Sequence, residues 1–116
     1  IYYRFTKNES NTSVIMEKSR LLDGQWSAVE GYNLGTMTGY EGPLIYKLNG
    51  EDKWCLLLDA YASHGGYKPF VTDDLESGVF TQSSDFTFDG IYRHGTVMPI
   101  TRAEYNALIK AYGSAE

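Results

Sequence analysis

Residues 19–27, SRLLDGQWS, lie without a gap over residues 73–81, DDLESGVFT, which sets Leu21 on Leu75, Gly24 on Gly78, Trp26 on Phe80 and Ser27 on Thr81 at an offset of 54 residues. At nearly the same offset YYRFT falls on WCLLL as an aromatic-led apolar run, and YEGPLIY falls on RHGTVMP with Glu41 on His94 and Gly42 on Gly95. Three matched segments in one order define an internal repeat. Between these anchors the chain is a series of short apolar and aromatic runs, among them SVIME, GPLIYKL, WCLLLDAYA and YKPFVT, broken by turn-forming stretches such as ESNTS, NGEDK and SHGG. Each run is about the length of one strand, and each break carries the Gly, Asn, Asp or Ser that tight turns demand. A unit of roughly fifty residues holding about four strands is the mark of a β-propeller blade.

The sequence therefore predicts an all-β chain, a partial β-propeller of about two blades with a short C-terminal helix. Residues 1–34 supply the last three strands of one blade, residues 39–90 a complete blade, and residues 93–101 the inner strand of a third. The helix belongs to TRAEYNALIKAYG, where Thr101 is the N-cap, Glu104 completes a capping box three residues on, and Gly113 is the stop. Closed propellers carry about four to eight blades, so the chain is expected to be part of a longer ring or to associate until its open edges are covered. Its start at Ile1, without a methionine and inside the strand-like IYYRF, suggests a missing upstream region.

Composition narrows the partners. With 42% hydrophobic and 22% charged residues, the 116-residue chain has the makings of a packed core. Ten tyrosines and 15% aromatics suit half-buried pleated surfaces, and also rings that stack on sugar faces. A net charge of −5 with scattered Lys and Arg argues against nucleic acid or an anionic membrane as partner, since both are bound through clustered cations. Apolar runs are too short to span a bilayer. Cys55 is the single cysteine, so no internal disulfide can form, and within KWCLLLD it reads as a small buried hydrophobe. The acceptor sequons at Asn8 and Asn11 carry little weight in so polar a turn.

Glu41 poses the functional question: a carboxylate opens a strand-like run between a glycine-rich approach and Gly-Pro, with no Lys or Arg close by in sequence. The inner strand of a blade lines the central channel, and the repeat places Glu41 and His94 at corresponding points of neighbouring inner strands. The antiparallel return of KWCLLLDAYA brings Asp59 to Tyr61 back to the same mouth, with the SHGG turn, and KNESNT of the preceding blade faces it too. One mouth thus gathers Tyr40, Glu41, Asp59, Tyr61, His64, Arg93 and His94. Desolvation and a neighbouring acid are expected there to raise the Glu41 pKa toward that of a general acid. Plainer readings stand beside these: Glu41 as a strand-edge charge in solvent, His94 as a hydrogen-bonded structural histidine, Asp59 as a strand terminus, Asp73 and Asp74 as a solvated turn, His64 as an exposed loop residue.

The ordered set YEGP, KWCLLLDAY, GGYKPFVTDDLESGVF and RHGTVMPITRAEYNALI resembles the C-terminal half of glycoside hydrolase family 43, five-bladed propellers that include arabinofuranosidases, xylosidases and arabinanases. The resemblance covers nearly the whole chain. It implies that Glu41 is the general acid, that His94 helps hold a structural calcium ion or water cluster on the propeller axis, and that Tyr40, Asp59, Tyr61 and Arg93 contact sugar. It implies no organic cofactor, and a plant cell-wall type oligosaccharide or polysaccharide as substrate. Family members invert configuration with two carboxylates about 6.5–9.5 Å apart. The family's base and its pKa-tuning aspartate lie before the stretch that begins at Ile1, so the chain alone is expected to have little or no activity. The rival expectation is a non-catalytic carbohydrate-binding or assembly module that pairs its edges with itself or with the missing blades.

Overall fold

The computed structural model describes residues 1–113. It is mostly β, in two antiparallel sheets. The first holds β1 (Tyr2–Asn8), β2 (Ser13–Ser19) and β3 (Ser27–Ala28) in that order. The second holds β4 (Glu41–Lys47), β5 (Trp54–Asp59), β6 (Tyr67–Thr72) and β7 (Thr81–Gln82), again in chain order. A single 3₁₀ turn, Tyr61–Ser63, follows β5, and one helix, α1 (Arg102–Tyr112), ends the described chain. The sheets form no closed barrel, and sequential strands pair with their neighbours as in a partial propeller.

The repeat has a structural counterpart. β2 and β6 begin at Ser13 and Tyr67, and β3 and β7 begin at Ser27 and Thr81, each pair 54 residues apart. The turns that precede β3 and β7 close alike, with Gly24 N donating to Leu21 O and Gly78 N to Leu75 O, both at 3.2 Å. Gly78 is required as glycine: its φ is +68°, and a Cβ there would meet the backbone nitrogen of Tyr32 at 2.7 Å.

β5 explains why the sheets hold together. Residues Cys55 to Asp59 are all buried, so both faces of the strand are covered, as a continuous apolar run predicts. On one face Leu56 and Leu58 join Val14 and Met16 of β2, Val29 and Leu34 of the connection, and Phe70 and Phe80, a single core shared by both sheets. On the other face Cys55 and Leu57 pack with Tyr67 under Phe86 and Phe88. The connection is also pinned by Asn33, whose side chain donates to Phe80 O and accepts from Phe80 N, both at 2.8 Å.

Two expectations meet the structure differently. The capping box forms as read: Thr101 Oγ1 accepts from Glu104 N at 3.2 Å, while the Glu104 carboxylate accepts from Thr101 N at 2.7 Å, and Gly113 ends the helix. The inner strand predicted over 93–101 does not form. That segment is exposed and carries no ladder, because strand geometry is stabilised by a paired neighbour and no strand among the described residues pairs with it. Side chains and isolated backbone bonds tie it to the second sheet instead: Gly95 N donates to the Tyr67 hydroxyl at 2.7 Å, and Tyr92, just ahead of the segment, accepts from Tyr67 N at 3.0 Å.

Candidate functional site

Antiparallel register sets Glu41, the first residue of β4, directly across from Asp59, the last of β5. Beyond Glu41 the ladder shifts before Leu44, and Gly42 absorbs the irregularity at φ +53°. The two carboxylates therefore share one end of the sheet. Asp59 is fully buried, whereas the Glu41 side chain keeps 20% exposure.

Cations arrive from two other directions. Lys7, on β1 of the first sheet, reaches across and donates to Glu41 Oε2 at 3.0 Å, while also lying 3.2 Å from Glu9 and 4.6 Å above the ring of Tyr61. Arg93 spans both acids, with Nε donating to Asp59 Oδ2 at 2.7 Å and Nη2 to Glu41 Oε1 at 3.0 Å. The next residue, His94, places Nε2 3.5 Å from each of those same oxygens. Neighbours along an extended chain normally point to opposite sides. Here His94 sits at φ +51°, and that left-handed step breaks the alternation so that Arg93 and His94 turn to one centre.

Four of the predicted residues, Glu41, Asp59, Arg93 and His94, thus meet at one point. Tyr61 borders the cluster through Lys7. Tyr40 does not join it: its ring packs edge-on against Phe70 with 6.4 Å between centroids, within the shared core. His64 is exposed, at φ +55° after the 3₁₀ turn, outside the cluster. Of the KNESNT run, Thr12 holds the approach to Glu41, its carbonyl accepting from Gly39 N at 3.0 Å and Tyr40 N at 3.1 Å. Lys7 is the residue that sequence reading passed over, although its run had been assigned to this face.

Lys7 reverses the expected electrostatics. Its hydrogen bond holds the Glu41 carboxyl below the ordinary range, against partial burial that pushes the other way; the Lys7 and His94 charges add to the lowering. The expectation of a raised pKa, founded on desolvation and a neighbouring acid, is corrected by these cations. A depressed carboxyl stabilises the fold above its ordinary value near 4.5, and that contribution is lost as pH falls through its folded value. Thermal melts across the acid range should accordingly show a steeper fall in Tm for the wild type than for Glu41→Gln. Parallel slopes would remove Lys7 and Glu41 as a linked pair.

The structure also allows the implied calcium to be tested against its residues. One ligand atom each from Glu41, Asp59 and His94 lies within 4.8 Å of the others. Calcium, however, takes about six to eight oxygens and has little use for an imidazole nitrogen. Here only two carboxylates are offered, and Arg93 and Lys7 already occupy three of their four oxygens. These residues do not fit a calcium ion held directly.

Asp59 is excluded as the base of an inverting pair on access: being fully buried, it meets no solvent. What the arrangement offers is a partly exposed carboxylate at the head of the second sheet, hydrogen-bonded to Lys7 of the first sheet and to Arg93 of the segment that follows.

No curated protein and no solved structure matches the chain. A family described as "Probable glycosyl hydrolase domain", related to glycoside hydrolase family 43, does match, over residues 1–106. That span contains both sheets and every member of the carboxylate cluster, and the chain belongs to this glycosyl hydrolase family.

Proposed function

We propose that the chain is the C-terminal part of a glycosidase that cleaves arabinose- or xylose-containing oligosaccharides or polysaccharides with inversion, and that Glu41 protonates the departing glycosidic oxygen. The observation that carries this reading is Glu41 itself: a partly buried carboxylate at the head of β4, in a chain of a glycosyl hydrolase family, held by Lys7 of β1 and by Arg93 of the segment that follows the sheets. The attacking water is activated by a carboxylate contributed from outside these 116 residues.

A proton donor must hold its proton when substrate is bound, and Lys7 opposes that in the isolated chain. The first sheet suggests the remedy. Among the described residues β1 is paired only to β2, so an inner strand added along its other edge would bring a new side chain next to Lys7. An aspartate arriving there competes with Glu41 for the ammonium and adds a like charge, and both effects raise the Glu41 carboxyl toward a working acid. Arg93, with nearly half of its side chain exposed, and Tyr61 are then placed to meet sugar hydroxyls and a sugar face.

Following the first turnovers of the parent enzyme by proton NMR tests the stereochemistry: the initial product should carry the inverted anomeric configuration. Retention would overturn this mechanism. In the same assay the 116-residue chain alone should not exceed the buffer blank on aryl arabinofuranosides and xylosides, and turnover by it would place a base within the chain.

A further inference from the structure

We propose that the guanidinium of Arg93 is the resident cation of this site, filling the gap between Glu41 and Asp59 that a divalent ion would otherwise take. The inference goes beyond the hydrolytic reading, since it concerns what occupies the centre and holds whether or not Glu41 donates a proton.

The geometry is one of direct competition. A metal bound by the triad would use Glu41 Oε1, Asp59 Oδ2 and His94 Nε2, because those are the atoms that converge. Arg93 already donates to that pair of oxygens, at 3.0 and 2.7 Å. A planar guanidinium can bridge two carboxylates at once through separate N–H groups, which a compact ammonium does less well. Charge is balanced as well. Glu41 and Asp59 already face the cations Lys7 and Arg93, so a divalent ion added to this set would crowd like charges into a partly desolvated space.

Asp59 shows why the cation is needed. The residue is fully buried, and its Oδ1 has no hydrogen-bond partner. Arg93 is therefore the group that offsets its charge, and through that bond it also ties the unpaired 93–101 segment to the second sheet. Arg93 acts here as a positioning residue: it fixes Glu41 and Asp59 relative to each other.

Thermal melts of the 116-residue chain test this with calcium, manganese and guanidinium chloride at low millimolar concentration as probes. Wild type should melt at the same temperature with and without either metal. Arg93→Ala should melt lower and should gain stability from manganese, which now finds the vacated oxygens beside the His94 imidazole, and from free guanidinium ion, which replaces the lost group, while calcium, short of oxygen ligands, should leave it unchanged. The double variant R93A/D59N should lose the guanidinium response, separating rescue of Asp59 from any general salt effect. Arg93→Lys serves as the second variant where Arg93→Ala does not fold; it should melt below wild type, since a compact ammonium lacks the rigid fork that reaches both acids at once, and remain indifferent to metal. A calcium-dependent rise in the wild type overturns the proposal. So does a folded Arg93→Ala that ignores both metal and guanidinium, or an Arg93→Lys that melts like wild type.

Discussion

Glu41→Gln in the parent glycosidase should lower kcat/KM by about 10²- to 10⁴-fold on substrates whose leaving group is a sugar alcohol, and by far less on aryl glycosides with an acidic phenol. Glutamine keeps the size of the side chain and one oxygen that can still accept from Arg93, giving up only the bond from Lys7. What it removes is the transferable proton. An alkoxide leaving group cannot depart without one, while an acidic phenolate can, and the difference between the two substrates therefore isolates general acid catalysis from binding. The basic limb of the pH–rate profile should vanish together with the activity, since that limb reports loss of the acid's proton. Equal losses on both substrates, with the basic limb intact, would mean that Glu41 holds the site together without donating.

That expectation started from one unexplained glutamate, and the sequence carried the surrounding fold well for a physical reason. A strand with one or two covered faces needs a fixed side-chain period, and the turn after it needs glycine at a fixed place; both constraints are local. The matched turns at Leu21–Gly24 and Leu75–Gly78 and the strand starts at Ser27 and Thr81 are legible on that account. The segment over 93–101 fails by the same logic reversed. Its sequence resembles β4, but a strand exists only as one side of a pair, and its partner is not among the described elements.

Within the site, register was legible and charge was not. Placing Glu41 opposite Asp59 needed only an antiparallel hairpin. Lys7 and Glu41, by contrast, stand 34 residues apart on different sheets, and nothing local in either segment announces their contact. Judging Glu41 by its sequence neighbours counted burial and acids but no cation, and so gave its carboxyl the wrong direction of shift. Tyr40 was misplaced for a simpler reason. As the residue beside Glu41 it points to the opposite side of the strand, and two-residue alternation sends its ring into the core against Phe70.

Because the pair that decides the Glu41 charge straddles two sheets, its integrity should depend on the core those sheets share. Leu56 lies in that core with no exposure, touching the cluster built by Val14, Met16, Val29 and Phe80. Leu57, next along β5, is as deeply buried but faces the other way, toward Cys55 and Tyr67 beside an open groove of about 570 Å³ lined by Leu44, Phe88 and Val97. Leu56→Ala should cost about 2–5 kcal/mol in urea unfolding, since a closed core can collapse only partly around the deleted atoms. It should also move the Glu41 carboxyl carbon resonance, because loosening the first sheet against the second draws Lys7 from its acceptor. Leu57→Ala should sit at the low end of that range, where groove walls can settle or water can enter, and should leave the Glu41 resonance in place. If both variants shift it alike, the site answers to general softening of the fold; if neither does, Lys7 is held by β1 without help from the common core.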